Sequence, residues 1–223
     1  MKYIIITYIV FQHFVLAHSE RHVCGGHSHR LVSQNAAPDA VNADYLNNTL
    51  AECYDKAVMI TRHALRLLHQ YKEQTGLSFM VIMRSSISAP PCTNDFGQLI
   101  TNVNDLNIHE RLRNYYRILR TVVSVLSSID QEDRAIHSDA RKFSGILRNA
   151  EQLLCEVYTG IGLTGSFIPI ITMPTPATLC VCESILQIHL RNAILIYRIY
   201  TIVTQLGNEF NSLYREEMLT RFL

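Results

Sequence analysis

Apolar residues recur in four long segments of the chain at alternating spacings of three and four residues. Such spacing places them along one side of an α-helix, so it predicts four helices. The predicted helices span about residues 46–75, 105–129, 132–160 and 182–219. In the first helix the apolar stripe runs from Leu50 to Tyr71, and Gly76 provides the stop. We therefore expect an all-α fold in which each helix turns one stripe toward a shared core.

The fourth predicted helix is apolar on several sides. Its main stripe runs from Ile185 to Phe210, and no acid occurs between Glu183 and Glu209. A helix that is apolar nearly all round is usually buried on several sides, so we expect this one to pack against more than one neighbour. The alternative is that its surplus apolar surface forms a partner site.

Polar residues predict where the second and third helices begin. Asn104 or Asp105 can cap the start of the second helix. Three acids, Asp130, Glu132 and Asp133, lie near the predicted start of the third helix, where the helix dipole favours negative charge. We expect these acids to mark a helix start, and a catalytic acid pair is the alternative.

The three predicted connections differ greatly in length. Those at about residues 77–103 and 161–181 hold roughly 27 and 20 residues, whereas only a few residues separate the second helix from the third. Extended chains of those lengths reach ~89 and ~66 Å, and a 26-residue helix is only ~39 Å long. Each long connection can therefore return the full length of a helix. This predicts a long-chain four-helix bundle over residues 46–223, with up-up-down-down topology and two long crossover loops.

The first 17 residues differ in composition from the rest of the chain. Lys2 precedes a strongly apolar stretch from Tyr3 to Leu16, and Ala17 offers a small residue for cleavage. This pattern is typical of a secretory signal peptide, and an uncleaved anchor is the alternative. We therefore expect a signal peptide over residues 1–17 and a secreted, extracellular product without membrane insertion.

Residues 18–45 are predicted to form a flexible N-terminal segment. Four histidines surround Cys24 there: His18, His22, His27 and His29. Metal binding is the alternative reading, but nothing in the sequence fixes the geometry of the four side chains relative to one another. We therefore expect no metal site in this segment.

Composition and motifs exclude several classes of protein. With 48% hydrophobic and 17% charged residues, the chain is too apolar for intrinsic disorder. Its 20 basic and 19 acidic residues nearly balance, which gives no general attraction to nucleic acid. The sequence has no Gly-x-Ser-x-Gly elbow, phosphate-binding glycine loop or His-Glu-x-x-His motif. We therefore expect neither an enzyme nor a cofactor.

All six cysteines follow the predicted signal peptide: Cys24, Cys53, Cys92, Cys155, Cys180 and Cys182. An even number of cysteines in an oxidising compartment predicts three disulfides. One N-glycosylation sequon, Asn47-Asn48-Thr49, is also consistent with secretion, so we expect a glycoprotein modified at Asn47.

The predicted topology suggests how the cysteines pair. The start of the first helix and the end of the third lie at the same end of such a bundle, which favours a Cys53–Cys155 bridge. Pairing of Cys92 with Cys182 or Cys180 would clamp the first long connection to the fourth helix. Cys24 would then pair with whichever of Cys180 and Cys182 is left.

Several stretches carry a family resemblance. Residues 71–79, Tyr-Lys-Glu-Gln-Thr-Gly-Leu-Ser-Phe, are followed by Ala-Pro-Pro at 89–91. Residues 111–126 begin Arg-Leu-Arg-Asn-Tyr-Tyr, and residues 198–211 end in Glu-Phe-Asn. These resemble, in order, the end of the first helix, the first loop, the second helix and the fourth helix of the interleukin-6 family of cytokines. The nearest branch contains cardiotrophin-like cytokine, cardiotrophin and ciliary neurotrophic factor.

The resemblance implies a function and the surfaces that perform it. The chain would be a secreted cytokine or growth-factor-like ligand that clusters class I, glycoprotein-130-type receptor chains and activates JAK/STAT signalling. The signalling receptor would meet the outer faces of the first and third helices, through Arg62, Arg66, His69, Arg141, Arg148 and Gln152. A second receptor would meet the start of the fourth helix at Leu186 and His189, and a third patch would include Arg198, Asn208 and Arg215.

The match is incomplete at the start of the fourth helix. Family members that bind a second receptor there use a Phe-x-x-Lys pair, whereas this chain has Leu186 and His189 at the corresponding positions. We expect the protein to be a monomer before receptor binding. The alternative function is a secreted helical carrier that opens around a lipid or other apolar ligand, because the fourth helix is rich in isoleucine.

Overall fold

The computed structural model describes part of the chain in detail. It covers residue 24 and residues 38–76, 78, 81–82, 106–136, 142–165, 174–182 and 184–220, with the backbone alone at 38–42 and 220. These ranges contain four long α-helices and no β-strand: α1 (Pro38–Thr75), α2 (Ile108–Ile136), α3 (Ser144–Leu163) and α4 (Ile185–Thr220). The prediction of an all-α, four-helix fold is therefore confirmed.

The two ends of α1 follow simple backbone rules. The helix begins at Pro38, eight residues before the predicted start, because proline suits the first helical position. Residues 38–45 are therefore helical, and the flexible segment was predicted to extend too far. Gly76 ends the helix as predicted: its φ is +68°, which favours glycine, and its N–H donates to the Lys72 carbonyl oxygen at 2.9 Å.

The boundary between the second and third helices was predicted in the wrong place. α2 continues to Ile136, and α3 begins only at Ser144. The acids at 130, 132 and 133 therefore lie in the last two turns of α2, not at the start of α3. Negative charge at the end of a helix opposes its dipole. It is tolerated here because basic side chains neutralise it: Arg134 Nη2 lies 2.6 Å from Asp130 Oδ2.

The start of α2 carries a reciprocal cap. Asn107 Oδ1 accepts from the Glu110 backbone N–H at 2.9 Å, and Glu110 Oε2 accepts from the Asn107 N–H at 3.2 Å. This capping box satisfies two backbone donors that the helix itself leaves without partners. The cap is Asn107, two or three residues after the predicted Asp105 or Asn104.

The predicted apolar stripes form the core. Leu50, Ala57 and Ile60 of α1 are at most 1% exposed, as are the stripe residues of α2 from Leu112 to Ile129. In α4 the predicted burial holds for the middle of the helix, where Ile199, Leu206 and Phe210 are buried. Ile185, which the pattern had also assigned to the core, is 58% exposed.

The helices contact one another in a defined pattern. α1 packs against α3 and α4, and α2 packs against α3 and, more lightly, α4. At Gly207, α4 approaches α1 so closely that an added Cβ would lie 3.3 Å from the Ala57 Cβ, so a small residue is required there. Among the helices of the described residues, none has both the length and the apolarity needed to cross a membrane.

An extended segment, residues 174–182, precedes α4 and lies along α2. The Ala177 N–H donates to the Ser124 carbonyl oxygen at 3.1 Å, and Ser128 Oγ donates to the Ala177 carbonyl oxygen at 2.6 Å. The Ser124 hydroxyl donates to the Thr175 carbonyl oxygen. These bonds satisfy backbone groups that no helix or sheet would otherwise pair. They also hold the chain in place immediately before α4 begins.

The observed disulfides differ from the predicted ones. Cys24 pairs with Cys155, and Cys53 is free. The predicted Cys53–Cys155 bridge is therefore wrong. Cys53 lies on the core stripe of α1 and is 0% exposed, whereas Cys155 is off the core stripe of α3 and is half-buried. The two side chains point to different environments, so Cys155 bonds the N-terminal segment instead.

The structure also bears on the second predicted bridge, in which Cys92 was to pair with Cys182 or Cys180. Cys180 is disulfide-bonded, and Cys182 is free. With two free cysteines out of six, the expectation of three bridges is also wrong. Cys92 lies outside the described residues, and of its two predicted partners only Cys180 is engaged in a disulfide.

Candidate functional site

Five of the six residues that the sequence assigned to the first surface lie on the outer sides of two packed helices. Arg62, Arg66 and His69 are exposed on α1, and Arg148 and Gln152 are exposed on α3. We call this surface the α1–α3 face. The sixth residue, Arg141, lies outside the described residues. The prediction that these side chains share one side of the molecule is compatible with the packing of α1 against α3.

Polar contacts join the two helices across this face. Lys56 Nζ donates to Gln152 Oε1 at 2.9 Å, and the His63 ring nitrogen Nδ1 lies 3.0 Å from Asn149 Nδ2. A groove of about 330 Å³ runs between the helices, lined in part by Arg66, Gln70 and Lys142. The face therefore has fixed geometry, since side chains from both helices bond across it.

Three basic side chains line the groove of the α1–α3 face: His63, Arg66 and Lys142. Burial lowers the pKa of His63, and the neighbouring Arg66 charge lowers it further. Burial also lowers the pKa of Lys142, an effect that Asp133 partly offsets. The Lys142 ammonium lies 4.1 Å from the centre of the Tyr71 ring, a cation–π contact that holds it beside the groove.

The third predicted patch falls on one outward stripe of α4. Arg198, Asn208 and Arg215 belong to a three- and four-residue spacing that continues through the exposed positions 201, 205, 212 and 219. Asn208 and Arg215 are exposed, whereas Arg198 is half-buried and burial lowers its pKa. The three predicted residues therefore lie on one helix face, and the side chains of Asn208 and Arg215 are exposed to solvent.

The start of α4 carries a concentration of exposed apolar side chains. Val181, Ile185 and Leu186 are 95%, 58% and 60% exposed. We call these three residues the α4-start patch. Leu186 was a predicted contact residue, but Val181 and Ile185 were missed because the helical pattern predicted burial at 185. The other predicted contact, His189, is half-buried, and its ring centre lies 5.8 Å from that of Tyr71.

A buried ion pair supports the α4-start patch from behind. Arg191 is 8% exposed and donates to the Glu132 carboxylate, to Asn192 Oδ1 and to the Cys180 carbonyl oxygen. Asn192 Nδ2 donates to the same carboxylate at 3.3 Å. The contacts join the end of α2, the segment before α4 and the start of α4. Sequence reasoning missed this cluster, because Glu132 and Arg191 are 59 residues apart along the chain.

The described residues offer no grouping of three or more metal-binding side chains. The four N-terminal histidines lie outside those residues. The acids at 130 and 133 are 4% and 7% exposed and lie in the last turns of α2, where Asp130 pairs with Arg134. The contacts that the structure shows for the acids of this region are ion pairs, of Asp130 with Arg134 and of Glu132 with Arg191.

Asn47 lies in an environment that does not suit a glycan. Its side chain is 4% exposed, and its Nδ2, the atom that would carry the sugar, donates to the Met218 sulfur at 3.7 Å. A glycan is bulky and belongs on the surface. The predicted modification at Asn47 therefore conflicts with the packing of α1 against α4.

We expect folded protein secreted from mammalian cells to carry no glycan at Asn47. Intact mass spectrometry, with and without a glycosidase that removes N-linked sugars, measures this directly. The matched control is Thr49→Val, which destroys the sequon and should leave the mass free of sugar as well. A glycosidase-sensitive mass increment on the wild-type chain, absent from that variant, would show that Asn47 is outside the core.

Comparison with known proteins yields no assignment. No protein-family model, curated protein or solved structure matches the chain. The functional argument therefore depends on the packing of the four helices and on the surfaces described above.

Proposed function

We propose that the protein is a secreted helical cytokine. It acts as a ligand for class I, glycoprotein-130-type receptor chains, and it activates JAK/STAT signalling by bringing those chains together. The observation that carries the proposal is the contact pattern of the helices, in which α1 packs against α3 and α4. The sequence resemblance to the interleukin-6 family leads to the same function.

The contact pattern supports up-up-down-down topology. In a simple up-down zigzag, each helix packs against the next one in sequence, and α1 and α3 would lie on a diagonal. Here α1 and α3 are in extensive contact. Contacts join the start of α1 to the end of α4, through Asn47 and Met218, and the end of α1 to the start of α4, through Tyr71 and His189.

Contacts of α2 agree with the same arrangement. Arg111 near its start lies 3.3 Å from Glu216 near the end of α4, and Glu132 near its end pairs with Arg191 near the start of α4. Along α3 the order is also reversed, since His109 lies 2.8 Å from Thr164. If α1 and α2 both run opposite to α3 and α4, two long crossover connections are required.

The mechanism is bivalent recognition. The α1–α3 face and the α4-start patch present different chemistry, since the first is basic and the second is apolar. A rigid bundle that engages one receptor chain at each surface holds the two chains together, and the second contact becomes effectively intramolecular. Signalling then requires no chemistry in the ligand itself, only fixed spacing between the two surfaces.

The test uses full-length protein secreted by cultured cells. We expect it to induce STAT phosphorylation within minutes in cells that bear the glycoprotein-130-type chain, and to induce none in a matched line that lacks this chain. Cross-linking on live cells should recover the same receptor chain. Equal responses in both lines, or no response in either, would contradict the proposal.

A further inference from the structure

The sequence Cys180-Val181-Cys182 combines a disulfide and a free thiol two residues apart. Cys180 is disulfide-bonded, whereas Cys182 is free and half-buried. The Cys182 sulfur lies 3.8 Å from the Cys180 carbonyl oxygen. Val181 between them is 95% exposed, so the segment lies at the surface. A free thiol therefore lies two residues along the chain from one end of a disulfide, on a segment that reaches the surface.

We propose that Cys180 and Cys182 form a thiol–disulfide exchange site. The Cys182 thiolate attacks the sulfur to which Cys180 is bonded, a new S–S bond forms there, and the old S–S bond breaks. Cys180 leaves as a thiolate and takes up the proton that Cys182 released. One disulfide and one thiol are present before and after the step, so it needs no external oxidant or reductant.

The other free cysteine provides an internal comparison. Cys53 is 0% exposed in the core of the bundle. Burial raises the pKa of its thiol, and the nearby carboxylates of Glu156 and Glu52 raise it further. Since the thiolate is the nucleophile, Cys53 should not take part in exchange. Reactivity is thus assigned to Cys182 by its position beside a disulfide and its access to solvent.

The exchange moves the anchor of the segment before α4. Bonding at residue 182 in place of 180 shifts the tether by two residues, or about 6.6 Å of extended chain. The segment that shifts, residues 180–182, contains the Cys180 carbonyl oxygen, which accepts from Arg191, and Val181 of the α4-start patch. The effect on receptor binding depends on the proposed function, whereas the exchange itself does not.

The experiment follows the position of the free thiol in the native, full-length protein. The protein is held at about pH 8.5 without reductant, where more thiolate forms, and is then acidified to stop exchange. Remaining thiols are labelled with a maleimide after denaturation at about pH 6. Peptide mass spectrometry locates the label.

In the wild type we expect label at Cys182 in every sample and label at Cys180 that increases with time at the higher pH. The Cys182→Ser variant should show no label at Cys180, and the Cys53→Ser variant should behave as the wild type does. Label that stays on Cys182 alone at all times would overturn the proposal. Label at Cys180 that also appears in Cys182→Ser would overturn it too, because another thiol would then be the nucleophile.

Discussion

The double charge reversal Arg62→Glu with Arg148→Glu should reduce STAT signalling by at least about 100-fold, which corresponds to about 2.8 kcal/mol of binding free energy. Both arginines are exposed, one on each helix of the α1–α3 face. Reversing a charge replaces attraction with repulsion toward a complementary receptor surface, so each change costs more than a simple truncation. Dose–response curves of STAT phosphorylation in receptor-bearing cells provide the measurement.

Stability should not change, because neither side chain is part of the core. Exposed substitutions of this kind usually alter the free energy of unfolding by about 0.5 kcal/mol or less. Circular dichroism and thermal unfolding of the double variant should therefore match the wild type. Loss of signalling together with loss of helix content would not support the assignment of the face.

The matched control reverses two arginines elsewhere on the bundle. Arg113 and Arg117 are exposed on α2, which is not part of the α1–α3 face. The variant Arg113→Glu with Arg117→Glu changes the net charge by the same amount and should signal at full strength. If both double variants lose activity equally, the effect is one of net charge. If the α1–α3 variant keeps full activity, this face does not bind the receptor.

Apolar periodicity predicted the core well because the helices bury continuous stripes. Nearly every predicted stripe residue of α1 and α2 is buried, and Gly76 ends α1 as expected. The pattern could not find the end of α2, because Ile136 continues the stripe spacing of both the second and third predicted helices. Because that boundary was predicted too early, three acids were assigned to a helix start, whereas they lie at a helix end.

The cysteine pairing was beyond what the sequence could provide. Helical spacing places Cys53 on the core stripe of α1 and Cys155 off the core stripe of α3, but it does not say which distant cysteine comes close enough to bond Cys155. Cys53 fills a core position that any small apolar side chain would suit. Cys155, off the stripe, was available to the N-terminal segment.

The candidate surfaces were only partly predicted, because helical spacing gives the direction of a side chain but not the packing around it. Helical spacing identifies residues that face outward, so Arg62, Arg66 and Arg148 were correctly placed as exposed. Helical spacing does not show that the first turn of a helix lies outside the packed core. Ile185 belongs to the core stripe by spacing, yet it is 58% exposed because it lies at the first position of α4.

Replacing Arg191 with methionine should lower the free energy of unfolding by about 3 kcal/mol. Methionine keeps much of the apolar stem, but it removes the Arg191 donors to the Glu132 carboxylate and to the Cys180 carbonyl oxygen, and Asn192 Nδ2 remains as a donor to that carboxylate. Breaking a buried ion pair by removing one partner leaves the other charge uncompensated, which typically costs 3–5 kcal/mol. Glu132 retains 26% of its side-chain exposure, so water offsets part of that cost. Urea unfolding followed by circular dichroism measures the change.

The double variant Arg191→Met with Glu132→Gln separates charge from packing. If the uncompensated carboxylate causes the loss, neutralising it should recover more than half of the stability that Arg191→Met removes. The surface pair of Arg111 and Glu216 is the matched control: Glu216 is 54% exposed, so Glu216→Gln should cost about 0.5 kcal/mol or less. Equal losses from Arg191→Met and Glu216→Gln would mean that the cluster behind the α4-start patch does not hold α2, α4 and the preceding segment together.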